Sequence, residues 1–463
     1  MMPRTPTILV PPPPEGAPVT IAHLTLKVVT PMFGGGAKPG YSDDDAPIRP
    51  AAIRGQLRFW WRACNARRFA SVDAMRVEEA RLWGSARDES KPASGPGAIQ
   101  LSVKVTNCGE VESQVNGPSS AVFPFNEVGG TNPQPARPGR RDIQFELRLA
   151  LTPHTKVSQH NAAQAAEQAL WAWIMFGGVG ARTRRGCGSL QCTGDATSGG
   201  LVQAAAFQPP AQEPTAWLKK QAACLIEINP ALTPPDDLKL VPVLHGATLI
   251  AGATAKDKTT AWRDANEPLR MFRQVKEIGR NKGGIKMVNG QPREIPGQSR
   301  WPEPGAIRGI FPRKRPGLDR EGHTYKWVPG ANGVSFPRAD LGLPIVFHME
   351  GDLGRASEFS ETLQLAQKTR ARMASPLIVK PLALANGQCV AVTLLLTAPH
   401  LWDPLVPDLE FKATTHRFKA APMTATTWPW PPNTPPNVAG HASARDAYLD
   451  YVTGLGNCTR IML

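Results

Sequence analysis

The sequence predicts an α+β protein: two ferredoxin-like (RRM-like) βαββαβ domains in tandem, with long loop insertions. Three observations carry that prediction. The first 200 residues run in the order strand, helix, strand, strand, helix, strand, read from apolar stretches of period two and of helical period. The 47 Pro and 42 Gly make about a fifth of the 463 residues, below the level of low-complexity disorder, which fits a compact chain with many turns. The tetrapeptide Ala-Ile-Arg-Gly stands at Ala52–Gly55 and again at Ala306–Gly309, the trace of a second, degenerate copy.

Residues 1–18 are proline-rich and are expected to form a loose arm. Val19–Thr30 alternates and is rich in β-branched residues, so it reads as the first strand. A loop with a glycine triplet, Gly34–Gly36, and an aspartate triplet, Asp43–Asp45, leads to a helix over Ala51–Phe69. Ile53, Leu57, Trp60, Trp61 and Cys64 cluster on one side of it. A second helical piece covers Val72–Trp83. Ala98–Val105 and Asp142–Leu151 are strands, separated by a polar insertion at 107–141. Ser158 suits the N-cap of a helix over Gln159–Phe176, which Gly177 and Gly178 stop. A closing strand starts near Gly188 and completes a first domain at 19–200.

Residues 201–240 carry many Pro, Gly and Ala and read as a junction. The second domain, 241–463, is less legible. His245–Gly252 and Leu343–Met349 look like strands, and Thr259–Glu277 like a helix weakened by Pro268. Ser375–Leu384 and Cys389–Pro399 form a strand pair. A Pro-rich loop and a short helix, Ala444–Leu455, close the chain.

Lys and Arg number 53 against 38 Asp and Glu, a net charge of +15. Such an excess favours a polyanion, with nucleic acid first among the partners. The seven cysteines are scattered without a CxxC pair, so a structural zinc site has no support, and buried free thiols in a reducing compartment are expected. No apolar run has signal-peptide or membrane-spanning length. A cytoplasmic location, no membrane partner, no cofactor and no metal are expected.

Two stretches concentrate positive charge. In the first helix Arg54, Arg58 and Arg62 recur at i, i+4, i+8 and form one stripe, with no acid in the helix to balance them. Like charges at that spacing repel, and a phosphate backbone would relieve the repulsion. The loop Phe176–Leu190 carries five glycines and Arg182, Arg184 and Arg185. Gly178 and Gly180 let backbone N–H groups turn toward an anion, and the guanidinium forks match phosphate oxygens. The loop ends a helix and lacks a GK[ST] terminus, so it is neither a P-loop nor a dinucleotide fingerprint. The aromatic signature of an RNA-recognition motif is absent, so loops rather than the sheet face are expected to hold the ligand. Clustered carboxylates bind Mg²⁺, and Asp43, Asp44 and Asp45 offer the alternative of a metal-dependent endoribonuclease. Three adjacent residues in one loop converge poorly on a single ion, so an exposed acidic turn is the expectation. His23, in a strand, reads as structural. His154 and His160 flank a helix start, and His23 or His160 would be the base of a metal-free nuclease. No catalytic constellation follows from spacing, and a non-catalytic chain is expected.

Thr30–Gly36 (TPMFGGG), Ile48–Ala63 (IRPAAIRGQLRFWWRA) and Gly177–Leu190 (GGVGARTRRGCGSL) together resemble the RAMP proteins of CRISPR effector complexes, most closely the first RAMP subunit of the type III-B (Cmr) assembly. In the second half, Gly297–Arg308, Leu341–His348 and Arg372–Pro381 carry the same resemblance. It implies two ferredoxin-like domains in a ribonucleoprotein whose partners are a CRISPR guide RNA, a complementary single-stranded target RNA and the other Cmr subunits. The subunit would lie toward the guide's 3′ end and serve antiviral defence, with base pairing supplying sequence specificity. Carried over by position, its RNA contacts would include Arg54, Arg58, Arg62, Arg182, Arg184 and Arg185, and in the second half Arg300, Arg308 and Arg372. The proline-rich ends and the 107–141 insertion depart from the family pattern.

Overall fold

The computed structural model of the protein describes residues 16–38, 40–88, 94–127, 135–153, 155–196, 200–274, 284–295, 301, 303, 307, 336–350, 357–367, 371–412, 417–422 and 440–463. The N-terminal arm, the second Ala-Ile-Arg-Gly (except Ile307), most of the Pro-rich C-terminal loop, His154, Arg300 and Arg308 fall outside these residues.

In the first half, strand β1 (Val19–Val28) leads to helices α1 (Pro50–Asn65) and α2 (Val72–Trp83). Strand β2 (Ile99–Asn107) follows, then a small hairpin, β3 (Glu110–Glu112) and β4 (Gly139–Arg141), enclosing the one-turn helix α3 (Ser119–Val122). Strand β5 (Gln144–Leu151), helix α4 (Gln159–Phe176) and strand β6 (Leu190–Asp195) complete it. The main sheet has the order β2-β5-β1-β6 with all neighbours antiparallel. The alternation of β1 buries Leu24, Leu26 and Val28 on the side that α1 and α4 cover. Local signals act as expected: Pro50 opens α1, and the Ser71 and Ser158 hydroxyls accept N-cap hydrogen bonds from Ala74 N and Asn161 N, both at 3.1 Å.

After α5 (Pro214–Leu225) and α6 (Asp236–Lys239), the second half repeats the pattern. Strand β7 (Val243–Gly252) is followed by α7 (Lys258–Gln274), which keeps Pro268 in its interior. The hairpin β8 (Gly284–Val288)–β9 (Gln291–Ile295) and strands β10 (Ile345–Glu350) and β11 (Ser357–Leu365) come next. Then follow β12 (Leu377–Ala383), β13 (Cys389–Thr397), β14 (Leu409–Phe411), β15 (Arg417–Phe418), α8 (Ala444–Gly454) and β16 (Cys458–Met462). The second main sheet has the order β12-β13-β7-β16, antiparallel throughout, and so matches the first sheet strand for strand. A third sheet, β10-β11-β14-β15, is assembled from the two long insertions and has its own apolar cluster around Phe336, Leu363 and Phe411.

The layers explain the burial of α4, in which twelve of eighteen residues are buried, Trp171 and Trp173 completely. One side of α1 and α4 meets the first sheet, and the other meets the second. Alternate residues of the second sheet, Ile378 and Leu382 with Val390, Val392 and Leu394, join the core of the first half. Their neighbours Leu377 and Val379 turn the other way, into a cluster with Leu269 and Phe272 of α7 and Tyr448 of α8. The stack is therefore sheet, helices, sheet, helices, and the two halves share one core. The 107–141 insertion adds a clasp. Ala121, Val122 and Phe125 pack with Trp262 of α7, and Ser120 Oγ donates to Asn266 Oδ1 at 3.0 Å.

Candidate nucleic-acid interface

A cleft of about 1680 Å³ opens between the halves. One wall is α1 and α2, the other the segments 372–376 and 398–407, and residues of α6 and the turn after it close one end. Arg58, Arg62, Arg76 and Arg87 line it from the first half, with Arg184 from the glycine-rich loop. Arg372 and Arg445 line it from the second. Seven arginines face four carboxylates, those of Asp73, Glu79, Asp88 and Asp237.

The α1 stripe is real as a row but is not unneutralised. Glu79, reaching in from α2 and 3% exposed, accepts from Arg58 Nε at 2.6 Å and also pairs with Arg62 Nη1. The expectation of an acid-free face fails because the balancing acid lies on the next helix, beyond the reach of a single-helix pattern. One carboxylate shared by two guanidiniums still leaves an excess of positive charge. Arg54 is exposed and is not among the residues that line the cleft, so it leaves the proposed set. One turn along α1 separates it from Arg58, enough to carry it past the rim.

The loop Gly177–Leu190 is a packed corner, not an open phosphate cradle. Gly178 is buried, and its carbonyl accepts from Trp173 Nε1 at 3.1 Å. Gly180 is exposed at φ +78°, and a Cβ there would lie 2.5 Å from Phe33 O. The need for glycine at 178 and 180 is thus met by backbone approach within the protein. Gly186, at φ +77°, sits against the Trp262 ring and the Lys380 backbone. The arginines divide. Arg182 donates to Ser120 O in the clasp, away from the cleft. Arg185 donates to Leu377 O at 3.1 Å and to Arg184 O at 3.0 Å, and burial, together with Arg273, Arg182 and Arg184, pushes its pKa down to about 9. Both act as struts. Arg184 alone of the three lines the cleft: it donates to Ser375 O, lies 5.6 Å from the centre of the Phe59 ring, and has its pKa lowered by burial.

Arg372 is exposed on the opposite wall, as the carry-over by position implies, whereas Arg300 and Arg308 lie outside the described residues. Arg76 and Arg87 were not singled out by sequence reasoning, because the mixed charges of α2 concealed them. The Asp triplet splits. Asp43 pairs with Arg49 and accepts from Ala37 N at 3.0 Å, which lowers its pKa, Arg49 contributing most. Asp44 pairs with Arg140. Among the described residues no three His, Cys, Asp or Glu come together as a metal-binding group. His23 lies 3.5 Å from Glu146 on the neighbouring strand, which fits a structural histidine, and His160 is exposed at the start of α4. Cys64, Cys187, Cys192 and Cys389 are buried free thiols. No helix among the described residues is long and apolar enough to cross a membrane.

A cleft with arginines on both walls, on halves built alike, defines a class of protein that handles extended polyanions. Residues 25–191 match the model of the RAMP superfamily, so a RAMP-superfamily domain occupies that stretch of the chain. Two relatives from Pyrococcus furiosus are similar to it. The CRISPR system Cmr subunit Cmr1-2 is 24% identical over 187 residues, 37% of this chain and 94% of that protein. Cmr subunit Cmr1-1 is 30% identical over 155 residues, 31% of this chain and 40% of that protein. Among solved structures, apo Cmr1 from Pyrococcus furiosus aligns with a TM-score of 0.44 at 13% identity, covering 95% of this chain and 97% of that one. A type III-B Cmr-beta complex bound to cognate target RNA aligns with a TM-score of 0.43 at 12% identity, covering 82% and 94%.

Proposed function

We propose that the chain is a non-catalytic RNA-binding subunit of a type III-B CRISPR (Cmr) effector. Guide RNA, single-stranded target RNA and other Cmr subunits are its partners, and the guide's 3′ end is its neighbourhood. The two halves, 19–200 and 241–463 about the 201–240 junction, are read as ferredoxin-like units in tandem, on the strength of their common strand order. The observation that carries the reading is the inter-half cleft in which Arg58, Arg62, Arg184 and Arg372 meet. Guanidinium forks on both walls suit a phosphate backbone, and Phe59 adds an aromatic face on which a base can stack. The RAMP match and the Cmr names of the relatives support the setting. The nuclease reading of Asp43–Asp45 is disfavoured because Arg49 and Arg140 hold Asp43 and Asp44.

The test is the salt dependence of binding to a fluorescent oligouridylate. Arg372→Ala, which removes an exposed cleft arginine, should weaken binding and reduce the slope of log K against log salt by about 0.7. Arg54→Ala should leave both unchanged. Equal slopes for Arg372→Ala and the parent chain would remove the cleft from the RNA path.

A further inference from the structure

We propose that His400 and Trp402 form a nucleobase-stacking subsite on the second-half wall of the cleft, with His400 Nε2 accepting a hydrogen bond from the same nucleotide. The inference rests on the cleft being a single-stranded RNA site. The two rings are already parallel, with centroids 4.5 Å apart and planes 8° from each other. Both side chains are half-buried. They lie in a segment bracketed by cleft-lining residues, Ala398 and Pro399 before them and Leu405–Pro407 after.

The imidazole is held rather than merely placed. Asp340, 0% exposed, receives three donors on its carboxylate: His400 Nδ1 at 2.8 Å, Leu401 N at 3.1 Å and Arg445 Nη2 at 2.9 Å. Arg445 Nε also donates to Asp340 O at 2.8 Å, so the carboxylate is paired and ionised independently of the histidine. An ionised Asp340 takes the Nδ1 proton of His400 in its hydrogen bond and leaves Nε2 as the acceptor of the neutral ring. Trp402 is fixed by a turn in which Asp403 N donates to His400 O at 3.0 Å and Leu405 N to Asp403 Oδ1 at 3.0 Å. A rigid, half-exposed pair of stacked rings beside arginines is the chemistry that single-stranded RNA uses: a base extends the stack while guanidiniums take the phosphates. The Arg445–Asp340 pair needs neither ring for its own satisfaction, so packing alone does not account for both.

The full chain is titrated with fluorescein-labelled oligouridylate over a range of salt. His400→Asn keeps a donor for Asp340 but removes the ring, and Trp402→Leu removes the plane. Each should weaken binding about tenfold with the salt slope unchanged, and Trp402→Phe should recover part of the loss. Loss of affinity with a changed slope belongs to the arginines instead. Unchanged affinity in His400→Asn and Trp402→Leu, while Arg372→Ala still lowers the slope, overturns the subsite and spares the cleft. A parent chain that does not bind oligouridylate overturns both. Should a variant fail to fold by its melting curve, the unmutated chain decides the matter: 4-thiouridine RNA should photocrosslink to the peptide carrying His400 and Trp402, and crosslinks confined to other peptides overturn the subsite.

Discussion

Lys380 shows how one side chain can tie two halves together. It sits on β12 with its even-numbered neighbours, pointing into the shared core, where Nζ donates to Gly177 O at 2.8 Å and Ile174 O at 3.3 Å. These are orphan carbonyls at the C-terminal end of α4, and an amine there satisfies both. Burial pushes its pKa down to about 7. A lysine whose folded pKa is depressed binds fewer protons folded than unfolded between about pH 7 and about pH 10. Stability therefore rises with pH across that window, and below it the buried charge is a standing penalty. Urea melts near both limits should show a higher midpoint at the alkaline one. Lys380→Met should flatten this rise and, by leaving two buried carbonyls unpaired, cost about 1–3 kcal/mol. A Lys380→Met chain as pH-dependent as the parent would assign the effect to other groups.

At the scale of elements, strands and helices with strong periodicity were legible: β1, β2, β5, α1, α4, β12 and β13 all lie where the alternation and the caps put them. The last strand, β16, was not, because its pattern Cys-Thr-Arg-Ile-Met leaves Arg460 and Met462 exposed on an edge that only β7 defines. The 107–141 insertion read as a polar loop because its apolar residues Ala121, Val122 and Phe125 are bought into order only by contact with α7, some 140 residues away. Candidate site residues failed for the same reason. Arg184 and Arg185 look alike in sequence, yet Leu377 O claims one and the cleft takes the other. Trp262 is the hinge of the clasp: 1% exposed, it donates to Arg185 O at 2.8 Å and packs on the insertion. Trp262→Ala should destabilise the chain by about 3–5 kcal/mol. It should also speed proteolysis within 107–141, read by limited digestion; uniform digestion with no early cut there would mean that the insertion holds its place without α7.

For the whole molecule, the shared core decides how the chain can behave. The first-half core includes Leu249, Ile378, Leu382 and Leu394 from the second sheet, so neither half buries its apolar face alone. Polar ties cross the same boundary: Arg185 to Leu377 O, Lys380 to Gly177 O, and Gln191 Nε2 to Leu384 O at 3.0 Å. Separating the halves would expose the outer sides of α1 and α4, including Trp60, Trp173 and Phe176, to water, a loss far larger than any single contact. Denaturation of the intact chain should accordingly follow one cooperative transition, with tryptophan fluorescence and far-ultraviolet circular dichroism superimposing. The cleft obeys the same logic, since Arg58 and Arg62 stand on one half and Arg372 on the other. Fragments 1–200 and 241–463 expressed separately should aggregate or bind oligouridylate far more weakly than the full chain, and mixing refolded fragments should restore binding. Two well-separated transitions, or a first-half fragment that binds RNA as tightly as the intact protein, would mean that the halves are independent and that the RNA path runs over one of them alone.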